Sequence, residues 1–161
     1  MHESSSIDTD SVLDERIIFP DGTCYQRLQA ITDCRRCHDA RPAEARILFL
    51  CRSIDSQDEL VMKIKIQTPD RSDLPSEGPS SSTSAELEAL RVFKKANTPY
   101  APHLMNWTQL SQGPEGPLPG GYVTVEIMTR MPGQNLLELS FWSMPVEKRN
   151  RIEQAFLLAL Q

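Results

Sequence analysis

The stretch from Leu60 to Leu90 limits what this chain can fold into more tightly than any other. Leu60-Val61-Met62-Lys63-Ile64-Lys65-Ile66 reads as a strand in which Val61, Lys63 and Lys65 point one way and Leu60, Met62, Ile64 and Ile66 the other. Such a strand has to lie over an apolar core and still find surroundings for two ammonium groups. Residues 68–82 follow, rich in Pro and Ser and without hydrophobic period, and read as a flexible connection. A helix is then expected from Ser84 to Ala96, stopped by Asn97-Thr98-Pro99.

Helical spacing separates the two glutamates of that helix. Glu86 shares a face with Ala89, Leu90 and Phe93, the stripe expected to pack on the sheet, whereas Glu88 points ~200° away at ~100° per residue. Two destinations are open to Glu86. It can turn inward to Lys63, or reach back to the helix start, since Thr83-Ser84-Ala85-Glu86 has the form of a capping box. Lys63 and Lys65 also have two readings, as inward ligands or as the solvated side of an amphipathic edge strand.

Elsewhere, Arg16 to Phe19 reads as a short strand before the turn Pro20-Asp21-Gly22, and Arg46 to Arg52 as a central strand forming a hairpin with the strand from Glu59 to Gln67. Residues 26–44 are ambiguous. His103 to Leu110 and Gly121 to Thr129 read as two strands joined by a long turn-rich loop; in the second, Val123, Val125 and Ile127 share one face and Tyr122, Thr124 and Glu126 the other. A last helix opens near Pro145. The expected class is α+β, a five-stranded antiparallel sheet packed on one helix and followed by a hinge and a C-terminal helix.

A lysine on a strand, a glutamate on the following helix and the segment Ile127-Met128-Thr129-Arg130-Met131-Pro132-Gly133-Gln134-Asn135-Leu136 together resemble the small lobe of the protein-kinase-like and aminoglycoside phosphotransferase-like superfamily, kinase-like proteins of filamentous fungi included. The resemblance spans residues 45–161. It implies that Lys63 contacts nucleotide phosphate, that Glu86 fixes Lys63, and that Val61 roofs the adenine. It also implies that the backbone of Thr129, Arg130 and Met131 is the adenine-binding hinge, with Pro132-Gly133 turning the chain away. Family members usually carry Glu where Thr129 stands, a change that a backbone contact tolerates.

Two departures shape the functional expectation. The superfamily places an acceptor-positioning Asp and magnesium-binding Asp and Asn beyond the hinge, but the last aspartate here is Asp73, and only Glu138, Glu147 and Glu153 follow the hinge before Gln161. Between Ile18 and Leu48 the chain has a single glycine, Gly22, where kinases cover phosphates with a glycine-rich loop. The expectation is a catalytically inactive, pseudokinase-type small lobe, truncated before the catalytic loop, with residues 16–131 as the lobe and 132–161 as the start of a large lobe. It would act as a protein-interaction module. The alternatives are weak ATP or ADP binding through Lys63, Glu86, Val61 and the hinge, and one half of a two-chain phosphotransferase.

Composition narrows the partners. The 161 residues carry 17 basic and 22 acidic side chains, a net charge of -5, and no large basic cluster, which argues against nucleic acid. Residues 1–15 hold five acidic residues and no Lys or Arg, and read as a disordered tail unsuited to targeting, so a cytoplasmic chain with no metal or firm cofactor is expected. Cys34-Arg35-Arg36-Cys37-His38 has the form of a haem-attachment motif, and with Cys24 or Cys51 of a zinc site; the third reading is a polar loop with reduced thiols. In the last helix Ile152, Phe156, Ala159 and Leu160 form a stripe that Leu157 and Leu158 overrun, so cover by self-association or a protein partner is expected.

Overall fold

A computed structural model describes residues 7, 9–37, 41–71 and 74–160. The chain divides into two compact units, Met1–Arg130 and Met131–Gln161. The first is an antiparallel sheet with one helix. Its strands are β1 (Arg16–Ile18), β2 (Cys24–Ala30), β3 (Arg35–Cys37), β4 (Glu44–Ser53), β5 (Glu59–Gln67), β6 (Leu104–Ser111) and β7 (Tyr122–Thr129), with α1 (Ser81–Ala96) between β5 and β6. The strand order is β1-β2-β4-β5-β7-β6, and β3 adds to β4.

The fold is therefore α+β, but its sheet has seven strands where five were expected. The two unforeseen strands share the long β4: β2 pairs with its second half and β3 with Glu44 to Arg46. β2 hides from a hydrophobicity reading because one of its inward positions is Arg27. That side chain is buried, 4.9 Å above the Phe49 ring, donating to Asp10 Oδ1 at 2.5 Å and to the carbonyl of Leu13 at 3.3 Å. A disordered tail was expected over residues 1–15, of which 1–6 and 8 lie outside the described residues; among the rest, Thr9–Ser11 make a 3-10 turn and Leu13 is buried in the core.

One face of the sheet is mainly apolar, Arg27 being the charged exception. Ile47, Phe49, Cys51, Leu60, Met62, Ile64, Ile66, Val123, Val125 and Ile127 form the core, with Ile17, Phe19, Tyr25 and Leu13 closing over it. β5 lies between β4 and β7, so it is a central strand and not an edge.

The other face carries α1. Its registered rows run Leu50–Val61–Met128, Leu48–Lys63–Glu126 and Arg46–Lys65–Thr124 across β4, β5 and β7. Val61 and Met128 join Leu87, Leu90 and Leu104 in an apolar cluster beneath the helix. The inward stripe of α1 is thus Thr83, Leu87 and Leu90; Phe93, expected on that stripe, is exposed.

The helix begins three residues before the expected Ser84. Ser80 is its N-cap, with Oγ accepting from the Thr83 amide at 3.2 Å, and Asn97 ends it in the left-handed region at φ 51°. Ahead of the helix, several described residues on either side of 72–73, which lie outside the description, make polar ties. The Gln67 side chain donates to the Leu74 carbonyl at 3.1 Å and accepts from the Ser76 amide at 3.0 Å, while the Thr68 amide donates to the Ala43 carbonyl at 2.9 Å. Polar ties of this kind leave no hydrophobic period to read. Gly121 is required where it stands, because a Cβ there would lie 2.9 Å from both the Gln112 Nε2 and the Leu118 carbonyl oxygen.

The second unit holds a 3-10 turn, Phe141–Ser143, and helix α2, Val146–Ala159, in which no residue is buried. Phe156, Leu157, Leu158 and Leu160 are exposed and Ile152 is half-buried. No helix among the described residues is long and apolar enough to cross a membrane.

Truncating a fully buried core residue on β5 should be costly. Ile64→Ala is expected to lower stability by about 2–5 kcal/mol, measured as a lower urea midpoint at unchanged slope.

Candidate functional site

The α1 face of β5 places Lys63 and Lys65 two residues apart, side by side under the first turns of the helix. Capping by Ser80 leaves Glu86 free of the helix start, and its carboxylate turns to the sheet instead. Glu86 Oε1 accepts from Lys63 Nζ, and Oε2 accepts from Lys65 Nζ at 2.5 Å. The expected Lys63–Glu86 pair is present, and Lys65, which had no assigned role, shares it.

The two lysines differ in their remaining partners. Lys65 Nζ also donates to Thr83 Oγ1 at 2.9 Å and lies 3.7 Å from Glu126 Oε1, a distance beyond a hydrogen bond. Among the described residues Lys63 has Glu86 as its hydrogen-bond partner, and its side chain is 11% exposed against 6% for Lys65. Lys63 is therefore the ammonium that an incoming anion can take over with least disruption.

A third carboxylate, Glu44, locks the same helix end. It accepts from the Ser80 amide at 3.0 Å, from Thr83 Oγ1 at 2.8 Å and from the Tyr122 hydroxyl at 2.6 Å. Burial, reinforced by the hydrogen bond to Glu44, pushes the Tyr122 phenol far above its usual range, so it stays a donor. The remaining carboxylate of the cluster, Glu126, is fully buried opposite Lys63, and neither of its oxygens has a hydrogen-bond partner among the described residues. Burial raises its pKa to about 7, with the lysines lowering it and Glu86 and Glu44 raising it. Burial acts on Glu86 in the same direction, but hydrogen bonds from Lys63 and Lys65 outweigh it and hold that carboxyl below its ordinary value.

Sequence reasoning found Lys63 and Glu86 and missed Glu44, Lys65, Tyr122 and Glu126. Lys65 and Glu126 carried a usable signal, because each alternates with fully buried apolar neighbours on a strand. Glu44 carried none, since a charged residue opening an apolar run resembles a strand boundary.

The other expected site residues have separate places in the chain. Val61 is buried beneath α1, one row from Lys63. Thr129 ends β7 opposite Leu60; its amide donates to the His103 carbonyl at 3.0 Å and its hydroxyl accepts from the His103 amide at 2.9 Å. Arg130 pairs with Glu59 on the surface, and Met131, partly exposed, opens the second unit. Of the three hinge residues, Thr129 thus has its amide engaged within the sheet.

The cysteines do not converge. Cys24, Cys34, Cys37 and Cys51 are free thiols, and no cluster of three metal-ligating side chains occurs among the described residues, His38 lying outside them. Cys51 sits in the core, where burial pushes its thiol up to about 12, the opposite of what a metal ligand requires.

No protein-family model, curated protein or solved structure matches this chain. The site is therefore interpreted from its own chemistry.

Removing Glu86 leaves two ammonium groups under the helix facing each other. Glu86→Ala should cost about 1–3 kcal/mol in urea unfolding, discounted because the carboxylate is one-third exposed. Glu126 sets a pH dependence. Its folded-state pKa lies above the ordinary 4.5, so the folded chain holds the extra proton, and that stabilisation is present below pH 4.5 and lost as pH rises to about 7. Glu86 acts with opposite sign, adding stability that disappears on acidification. The stability of wild type relative to Glu126→Gln should therefore fall across that window, by up to about 3 kcal/mol. A flat difference would refute the assignment.

Proposed function

We propose that residues 16–131 form a kinase-like small lobe that works as a non-catalytic binding module, with Lys63 contacting the phosphates of ATP or ADP. The observation that carries this reading is the hydrogen-bonded ion pair between Lys63, on a central strand, and Glu86, on the helix that follows it. A long lysine side chain is held in one place when a carboxylate fixes its ammonium, and kinase-type sites position a phosphate-binding lysine by such a pair. Val61, one row away on β5, is packed with Met128 beneath Leu87 and Leu90, so it can meet a nucleobase only along its small exposed edge. Backbone contact to adenine from the first unit falls to Arg130, given the engaged amide of Thr129.

The interval between β2 and β4 contains no glycine and is occupied in part by β3. No glycine-rich turn offers bare amides to the phosphates, so affinity rests on Lys63 and is weak. Residues 131–161 contain no aspartate, so the role assigned to residues 16–131 themselves is binding alone.

ATP or ADP titration of the purified chain should show millimolar-range or weaker binding that falls roughly 10- to 100-fold in Lys63→Ala, as expected for one charged hydrogen bond. Equal affinity of the two chains would overturn the phosphate role, and phosphoryl transfer by wild type that vanishes in Lys63→Ala would overturn the non-catalytic one.

A second reading, a protein-interaction module acting through α2, is favoured by the exposure of Phe156 (62%), Leu158 (65%) and Leu160 (68%) on a helix with no buried residue. Leaving each such side chain in water forgoes about 1.5–3 kcal/mol. Sedimentation across a concentration series should show association weakened by Phe156→Ser with Leu160→Ser; a monomer insensitive to both substitutions would exclude self-association.

A further inference from the structure

Glu126 is out of place for an ordinary acid. Its side chain is 0% exposed, and no donor hydrogen-bonds to either oxygen among the described residues. The next side chain on the same face, Thr124, likewise has a buried and unpartnered hydroxyl. The ionisable groups facing Glu126 come from three elements: Lys63 and Lys65 on β5, Glu86 on α1 and Glu44 on β4. From β6 the registered neighbours are Trp107 and Gln109, neither ionisable in this range, with Arg91 of α1 lying 5.6 Å above the Trp107 ring.

Two lysines thus meet three glutamates. With Glu126 neutral the cluster sums to zero charge; with Glu126 ionised it carries one uncompensated negative charge, placed on a carboxylate that is itself fully buried. We infer that Glu126 binds a proton whenever an anion occupies Lys63, so that phosphate recognition by this lobe is coupled to proton uptake.

The inference rests on the phosphate reading of Lys63 and follows from the geometry around it. An anion that takes Lys63 leaves Glu86 to Lys65 and adds negative charge beside Glu126, which shares its row with Lys63. Each negative charge then disfavours the other, and the coupling is reciprocal: a proton on Glu126 strengthens anion binding, and a bound anion strengthens the hold on the proton. Burial already places the titration of Glu126 near neutrality, within reach of such a shift. The step is a proton transfer from solvent to one Glu126 oxygen, with no other bond made or broken.

The test is calorimetric titration of the full chain with ADP in two buffers of different ionisation enthalpy, for wild type and Glu126→Gln. Comparing the two chains removes the nucleotide's own titration. Wild type should take up more protons than Glu126→Gln at about pH 8, and its affinity should drop roughly three- to tenfold more than the variant's between about pH 6 and pH 8. Equal proton counts and parallel pH profiles would overturn the inference while leaving the phosphate reading in place. Absence of any Lys63-dependent binding in either chain would remove the phosphate reading and the coupling with it. Should Glu126→Gln fail to fold, Glu126→Leu and an infrared measurement on wild type replace it. ADP should then raise the carboxylic-acid band of the protein at neutral pH, and an unchanged band would be fatal to the proposal.

Discussion

Two ammonium groups set side by side beneath a helix have to be neutralised, and the placement of α1 follows from how that is done. Glu86 reaches down from the helix to Lys63 and Lys65, while Glu44 reaches up from β4 to the helix cap at Ser80 and to Thr83. Both ties act on the first turns of α1. The apolar contacts of Leu87 and Leu90 with Val61, Leu104 and Met128 act on the next ones. The charged end fixes rotation and register, because an ion pair is satisfied in few geometries, and the apolar end supplies non-directional burial. A slip of β5 by one residue would put both lysines into the core and strip α1 of its partners.

The period of two on β5 divides the labour of the lobe. Leu60, Met62, Ile64 and Ile66 belong wholly to the core, so the opposite face can hold polar chemistry without weakening it. β7 repeats the arrangement, with Val123, Val125 and Ile127 in the core and Tyr122, Thr124 and Glu126 toward α1. Because β5 and β7 are neighbours, the polar positions of both coincide in one layer. The candidate site is in this sense a product of strand pairing: no single segment contains it.

That origin explains what could be seen in the sequence. Lys63 and Glu86 were legible because strand alternation and helical spacing each select one residue, and the strand and helix are consecutive. The α+β class was legible for the same reason. Glu44, Tyr122 and Glu126 were not, since their roles arise from pairings across long intervals of chain. β2 was masked by Arg27, a charged residue in an inward position that only Asp10, Leu13 and Phe49 together make tolerable. The ties made at Thr68, Leu74 and Ser76 were not legible because backbone groups and the Gln67 side chain make them. Alternation detects apolar burial, and here Arg27, Glu44, Lys65, Tyr122 and Glu126 are buried as well.

A buried set of charges is a poor route to stability, since well-packed apolar side chains of similar volume often do as well or better. Here the apolar cluster around Leu87 and Leu90 already anchors α1, and the polar layer beyond it includes an acid with no hydrogen-bond partner among the described residues. Within that layer the partners are distributed unevenly. Lys65 is held by Thr83 and Glu86, whereas Lys63, the more open of the two, has Glu86 as its hydrogen-bond partner among the described residues. One carboxylate serves both because each of its oxygens faces a different lysine, and Thr83 gives Lys65 a second tie to the same helix end.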